Sequence, residues 1–472
     1  MSRRIALLIS LTALAGAAAP ATAPATPIDD ACTQASPSAA VCIGADKPAE
    51  AVAAECRHAG VPDSACVLPL GHHVLASELA AYQGSWVHRA AQAQYALGNG
   101  VPLLDAQWLG THNSFNSDAN GLTLSHTDSN QQLTLTEQLD GDIRALELDV
   151  HFVPGIENGG ANVVRVCHGR GPDQEHLGCT TEPLLTAVLP EITRWIDGHP
   201  HQVVLLYLED ELGAAAGYDE TVAALNHILV RPDGSSMLYR PAPTSIGANG
   251  CADLPLGASR HDVRAAGANI VLVGHCARGW SADVFSWDNN HVESGSTPAY
   301  KPFPACDATY APSVYATKLV RYFEDSTWVS AVTDPTQTPA QHDANALTPA
   351  KVTSMIDCGV NLFGFDQYEP GDGRAQASIW SWAPNQPDTA AGACAIQRAD
   401  GRWTSAACTG IRPAACHAPD GSWLITPAVA ASAARAVCAA RGARFAPPRT
   451  GPENEALHAA AGPSAPWLAA AT

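Results

Sequence analysis

The chain has 472 residues and a formal charge of −20 at pH 7, with 46% hydrophobic and 15% charged side chains. That length buries a large core and holds one big domain plus a smaller one, or two to three ordinary ones. The acidic balance disfavours nucleic acid and other polyanions as partners, and an anionic substrate would need a local cation, such as a bound metal, to offset the field.

In chain order, residues 1–23, MSRRIALLISLTALAGAAAPATA, have two arginines, a short apolar run and small residues at the expected cut. This is the layout of a secretory signal peptide, so a secreted or periplasmic protein is expected. Loss of Arg3 and Arg4 takes the mature charge to about −22. No later run approaches the ~18–20 apolar residues of a membrane span, so contact with a bilayer would be peripheral. The fourteen cysteines fit an oxidising compartment, and none shows the CxxC spacing of a zinc cluster. Residues 24–79 read as an arm rich in Ala, Pro and Cys, with Cys32, Cys42, Cys56 and Cys66.

Residues 80–375 alternate short apolar runs with helix-like segments, the pattern of repeated βα units. The runs are DAQWLGTHN, IRALELDVHF, VVRVCHG, QVVLLYLED, ANIVLVGHC and VNLFGFDQY; EPLLTAVLPEITRWIDGH and DETVAALNHIL read as helices. Nearly continuous apolar strands imply a sheet covered on both faces, hence parallel strands. The fold class expected is α/β, a (β/α)8 TIM-like barrel. From 376 to 472 the composition shifts toward Ala, Trp and Cys, which marks a small C-terminal domain.

In ALELDV, Glu147 and Asp149 are two residues apart, so on a strand they share a face. They interrupt an apolar run, as does Glu209 in VVLLYLED. Buried like charges need a cation, a shared proton or salt-bridge partners. Asn113 adds a neutral oxygen, and three carboxylates with an amide are the hard donors that calcium prefers. His112 and His168 follow apolar runs, at strand ends where barrel sites are built. They are either structural or a pair that divides proton removal and donation, a division suited to metal-assisted phosphodiester cleavage.

The series GTHNSF, IRALELDV, VCHG and VVLLYLED resembles the X-type barrel of phosphatidylinositol-specific phospholipase C, in particular its calcium-dependent bacterial secreted branch. The resemblance implies catalytic roles for His112 and His168, and calcium ligation by Asn113, Glu147, Asp149 and Glu209, with Glu147 a candidate base. It implies attack by the inositol 2-hydroxyl on its own phosphate, giving diacylglycerol and inositol 1,2-cyclic phosphate. Arg170 reaches the phosphate or forms a surface salt bridge; Asp366 and Tyr368, on one face with Gly364 if the strand continues, bind inositol hydroxyls or serve as structural donors. A Cys167–Cys179 bridge would fix His168, the alternative being that these cysteines pair elsewhere; Trp280 and Trp287 are candidates for a membrane-facing rim or for buried packing. The expected partner is an inositol phospholipid at a membrane surface.

The tail contains WAPNQPDTAAGACAIQRADGRWTSAACTGIRPAAC, which resembles the second half of a C-type lectin-like domain. The stretch after it resembles the first half, so a small disulfide-containing α+β lectin-like domain with permuted halves is expected. Sugar binding in that family uses Asn-Asp after the tryptophan, whereas Trp403 is followed by Thr404 and Ser405. A structural or protein-contact role is favoured over glycan binding. Two other functions remain: a glycerophosphodiester phosphodiesterase, which usually carries His-Arg-Gly in place of THNS, and a catalytically silent surface or adhesion protein using the tail.

Overall fold

The computed structural model describes residues 76–117, 119, 129–155, 159–168, 179, 182–294, 317–324 and 346–470. Residues 1–23, for which a signal peptide is expected, most of the arm and Arg170 lie outside the described residues. Among the described residues nine strands belong to the large domain: β1 Ala145–Pro154, β2 Asn162–Val166, β3 Val204–Glu211, β4 Leu238–Tyr239, β5 Ile270–Gly274, β6 Phe285–Ser286, β7 His291–Ser294, β8 Leu319–Phe323 and β9 Leu362–Gly364. One sheet runs β2-β1-β3-β5-β4 with β6 also on β5, and a second runs β7-β8-β9. The segment 108–111 ties them together through parallel bridges, Gly110 to Ala145 on one side and Trp108 to Leu362 and Thr111 to Phe365 on the other.

Two expectations change. No pairing joins β6 to β7 among the described residues, so the ladder there is that of an open barrel rather than a closed eight-stranded one. The chain turns tightly between them, with the amides of Asn290 and His291 both donating to the Trp287 carbonyl. The VVRVCHG run is also not a parallel barrel strand. β2 pairs antiparallel with β1, Val150 opposite Val166, and forms a hairpin beyond the barrel rim.

Strand alternation separates two apolar clusters. Leu146, Leu148, Val150, Leu206, Leu208 and Val320 face the helices, whereas Trp108, Ala145, Leu205, Tyr207, Val271 and Leu319 fill the interior. The helix Leu185–Gly198 buries Leu185, Val188, Leu189, Ile192, Trp195 and Ile196, the stripe its 3.6-residue period predicts. Trp280 and Trp287 are 1% and 0% exposed, so the rim expectation for them fails; their rings pack on Tyr218 and Tyr207 respectively.

The C-terminal region is built of short antiparallel strands and the helices Ala434–Ala439 and Gly451–Ala461, with Cys394–Cys408 and Cys416–Cys438 bridged. Its core is continuous with the large domain: Trp403, Trp423, Leu457 and Leu468 belong to the same cluster as Leu206 and Trp380. Gln94 carries polar contacts across the junction, donating to the Ser378 carbonyl and accepting from the amides of Trp380 and Ser381. Position 376 is therefore a change of composition but not an edge of the core.

Candidate active site

The strand period that places Ala145 and Leu205 inside also turns Glu147, Asp149 and Glu209 inward at the carboxyl end of the barrel. Asp149 lies beside Glu209 and Glu147 beside Tyr207 in the β1–β3 register. One oxygen from each of the three carboxylates lies within 4.8 Å of the others. Glu147 and Asp149 are buried and Glu209 half-buried. Burial first, then the charges of Glu209 and Glu147, hold the Asp149 carboxyl well above its usual range, with Arg321 acting in the other direction.

Asn113 stands at a turn with φ 44°, and its side-chain amide lies 3.1 and 3.0 Å from the two Asp149 oxygens. With its nitrogen turned there the amide hydrogen-bonds the carboxylate; with its oxygen turned there it is a fourth donor beside the three acids. The Asn113 backbone N–H donates to Glu147 at 3.1 Å. The residues thus fit a hard cation in donor chemistry and proximity.

His112 lies across the rim, 9% exposed, with Nδ1 3.1 Å from Asp366 Oδ1. Asn130 donates to the same Asp366 oxygen at 3.1 Å. Gln131 locks the loop by donating to the carbonyls of His112 and Phe365 at 2.7 and 2.8 Å. Gln138 supports the next residues, donating to the Ser114 carbonyl and accepting from Thr111. A Cβ on Gly364 would meet the Cβ of Phe323 at 2.8 Å, so the glycine leaves room for Phe323 beside the His112 side chain.

His168 follows the β2 hairpin. The Cys167 N–H donates to the Asp149 carbonyl, and of the pairings left open by the sequence it is Cys167–Cys179 that is formed. His168 itself is half-buried. The antiparallel return of β2 therefore brings it back toward the acid strand.

Tyr368 does not join this group. β9 ends at Gly364 and Gln367 has φ 46°, which breaks the alternation that would place Tyr368 beside Asp366. The Tyr368 ring is fully buried, and its hydroxyl donates to the Gly141 carbonyl at 2.7 Å. Asp366 remains in the site, but its contact is with His112 rather than with the open mouth.

Four participants were not singled out in the sequence. Arg321, at the centre of β8, is buried and pairs with Glu147, its guanidinium 4.7 Å from the Phe323 ring centre and 5.2 Å from that of Tyr207. Asn130 holds Asp366. Glu324 accepts from the Asp366 amide at 2.8 Å, and Arg374 joins Glu324 at 2.6 Å and the Asp366 carbonyl at 2.9 Å. The one available signal was the arginine inside the apolar run KLVRYF.

With this geometry in place, comparison with known proteins decides the family. A family model described as the Rv2075c PI-PLC-like domain matches residues 67–372. The chain belongs to the Rv2075c PI-PLC-like family. Two curated Mycobacterium tuberculosis relatives, the uncharacterized proteins Rv2075c and MT2135, are each 54% identical over 461 residues, covering 97% of this chain and 94% of the relative. Among solved structures, the phosphatidylinositol-specific phospholipase C of Listeria monocytogenes is 19% identical at a TM-score of 0.39, covering 61% of this chain and 98% of that one. An F249X mutant of the Staphylococcus aureus enzyme is 12% identical at the same TM-score of 0.39, covering 62% and 98%. Membership of the PI-PLC-like family rests on the sequence match. No helix among the described residues is long and apolar enough to cross a membrane.

Proposed function

We propose that the protein is an exported, calcium-dependent phosphodiesterase that cleaves phosphatidylinositol, or a related inositol phospholipid, at a membrane surface. The observation that carries this reading is the convergence, on one barrel rim, of a histidine held by a carboxylate and three acids close enough to share a cation. Family membership supports the phosphodiester class of substrate. A silent adhesion protein has no need of either arrangement.

In this reading Asn113, Glu147, Asp149 and Glu209 hold the metal. Calcium bound there supplies positive charge that offsets the phosphate and lowers the pKa of a neighbouring hydroxyl. Asp366 against Nδ1 favours the tautomer protonated there, which makes Nε2 the basic nitrogen of His112, and in this reading His112 takes the proton of the inositol 2-hydroxyl. Glu147 is less suited as the base, because it already accepts from Arg321 and the Asn113 amide. The 2-oxygen attacks its own phosphorus, an intramolecular step that gains from proximity. The phosphorus–glycerol bond breaks and His168 gives the leaving oxygen its proton. The products are diacylglycerol and inositol 1,2-cyclic phosphate. The C-terminal module has a structural or contact role, supported by Trp403, whose indole donates to Asn454 inside the shared core.

The test is hydrolysis of phosphatidylinositol with calcium and with chelator, followed by phosphorus NMR for the cyclic phosphate. Cyclic product formed only with calcium supports the reading. Cyclic product at the same rate in chelator would replace the metal by Arg321 as the cation beside Glu147. Cleavage of glycerophosphodiesters alone, without a cyclic product, would overturn the substrate assignment.

A further inference from the structure

The alternation of β8 places an arginine inside the barrel. Leu319 lies in the interior cluster, and Val320 and Tyr322 lie in the cluster that faces the helices, so Leu319, Arg321 and Phe323 take the inward places. Arg321 is buried there, and a buried cation needs partners. Its Nη2 donates to Glu147 Oε2, and the rings of Phe323 and Tyr207 flank the guanidinium. The β1–β3 register sets the levels: Glu147 stands opposite Tyr207, and Asp149 stands opposite Glu209 two residues nearer the mouth. Arg321 and Glu147 thus form the floor beneath the layer in which Asp149 and Glu209 meet.

A fixed positive charge in that floor acts on the three acids in two ways. It relieves their crowding: burial, Glu209 and Glu147 push the Asp149 carboxyl upward, and Arg321 acts against them. It also opposes any cation held above it. The affinity of a carboxylate site for a hard cation follows the charge of its donor set, and the effect of a nearby fixed charge grows with the valence of the ion. The two rings matter here as well. They hold a guanidinium without taking an acid's lone pairs, so Arg321 keeps its place when Glu147 turns oxygen to a metal.

We propose, on the basis of the calcium reading of the rim, that Arg321 is a positioning residue that sets the charge of the metal site. It holds Glu147 in the absence of a cation, and it limits the site to a moderate affinity that favours divalent over trivalent ions. Removal of its charge therefore tightens metal binding rather than weakening it.

The experiment is titration calorimetry of the full chain with calcium(II) and with terbium(III), for the unaltered protein, Arg321→Met and Arg321→Gln, with Asp149→Asn as the control for the site. Both Arg321 variants are expected to bind calcium roughly tenfold tighter and terbium roughly thirtyfold tighter, because coupling to a fixed charge scales with valence. Their rise in melting temperature with calcium exceeds that of the unaltered protein, since uncompensated acids lower stability until a cation binds. Loss of packing alone would weaken both ions alike and leave their ratio unchanged. If the variants fold only with calcium, their affinities are read by competition with chelator. Weaker or unchanged calcium binding, an unchanged terbium-to-calcium ratio, or variants that do not fold even in calcium would overturn the role of Arg321 and leave the calcium site standing. No saturable calcium binding by the unaltered protein, or equal binding by Asp149→Asn, would instead remove the calcium site and the role of Arg321 with it.

Discussion

The two sides of the rim treat their carboxylates differently. On the β8–β9 side Glu324 and Asp366 are buried but partnered: Arg374 and two backbone amides meet Glu324, and Asn130 and His112 meet Asp366. On the β1–β3 side three acids crowd together, with Arg321 on Glu147 as the cationic contact. Acids held singly by cations and amides fix a geometry, whereas acids set against one another raise the local demand for positive charge. The first side suits the positioning of a histidine and the second suits a cation.

The largest effect that would test this division is at the histidines. His112→Ala and His168→Ala should each lower turnover at least ~10²-fold, the scale of general acid–base groups, with the fold and the calcium response retained. On a substrate with a good leaving group His168→Ala should recover more activity than His112→Ala. Equal losses on both substrates would remove the division between base and acid.

Asp366→Asn should cost less, roughly tenfold in kcat with little change in KM, because the amide still contacts Nδ1 but stabilises the imidazolium poorly. The acidic limb of its pH profile should move relative to that of the unaltered protein. A profile that stays in place would reduce Asp366 to a packing role.

On the crowded side the readout is stability. Calcium at about a hundred times its Kd should add about 2.7 kcal/mol and raise the melting temperature by a few degrees. Asp149→Asn should weaken that shift and activity together. Identical melting curves with and without calcium, at concentrations that support turnover, would remove the metal assignment.

The smallest effect lies at the junction with the C-terminal module. Burial and the charge of Glu455 raise the Asp357 carboxyl from its usual value to about 6, against the pull of Arg402. An acid raised on folding contributes stability that is fully present below its unfolded pKa of 3.8 and is lost as pH rises through about 6. Stability from this group therefore increases on acidification across that window. Asp357→Asn should flatten the dependence and raise the melting temperature slightly at pH 7.5; since the group is partly exposed, solvent screening keeps the gain small. An unaltered pH dependence of melting would show that Asp357 is not raised.

The sequence by itself determined which short segments carry chemistry. An apolar run interrupted by acids two residues apart has one reading on a strand, because the period of two puts both on the face occupied by Ala145. The positions of Glu147, Asp149 and Glu209 were legible for that reason. Periodicity carries no information about which distant strand lies opposite. Arg321 and Glu147 are 174 residues apart, and Asp366 and His112 are 254 apart; only the barrel curvature brings each pair together. The same limit explains β2, whose apolar pattern is the same for a barrel strand and for an antiparallel hairpin. It explains Tyr368 as well, because a single left-handed residue at Gln367 undoes an alternation that the letters alone extend. Trp280 and Trp287 went inward because a helix residue, Tyr218, and a strand residue, Tyr207, offer rings to cover them, and those neighbours are chosen by tertiary structure.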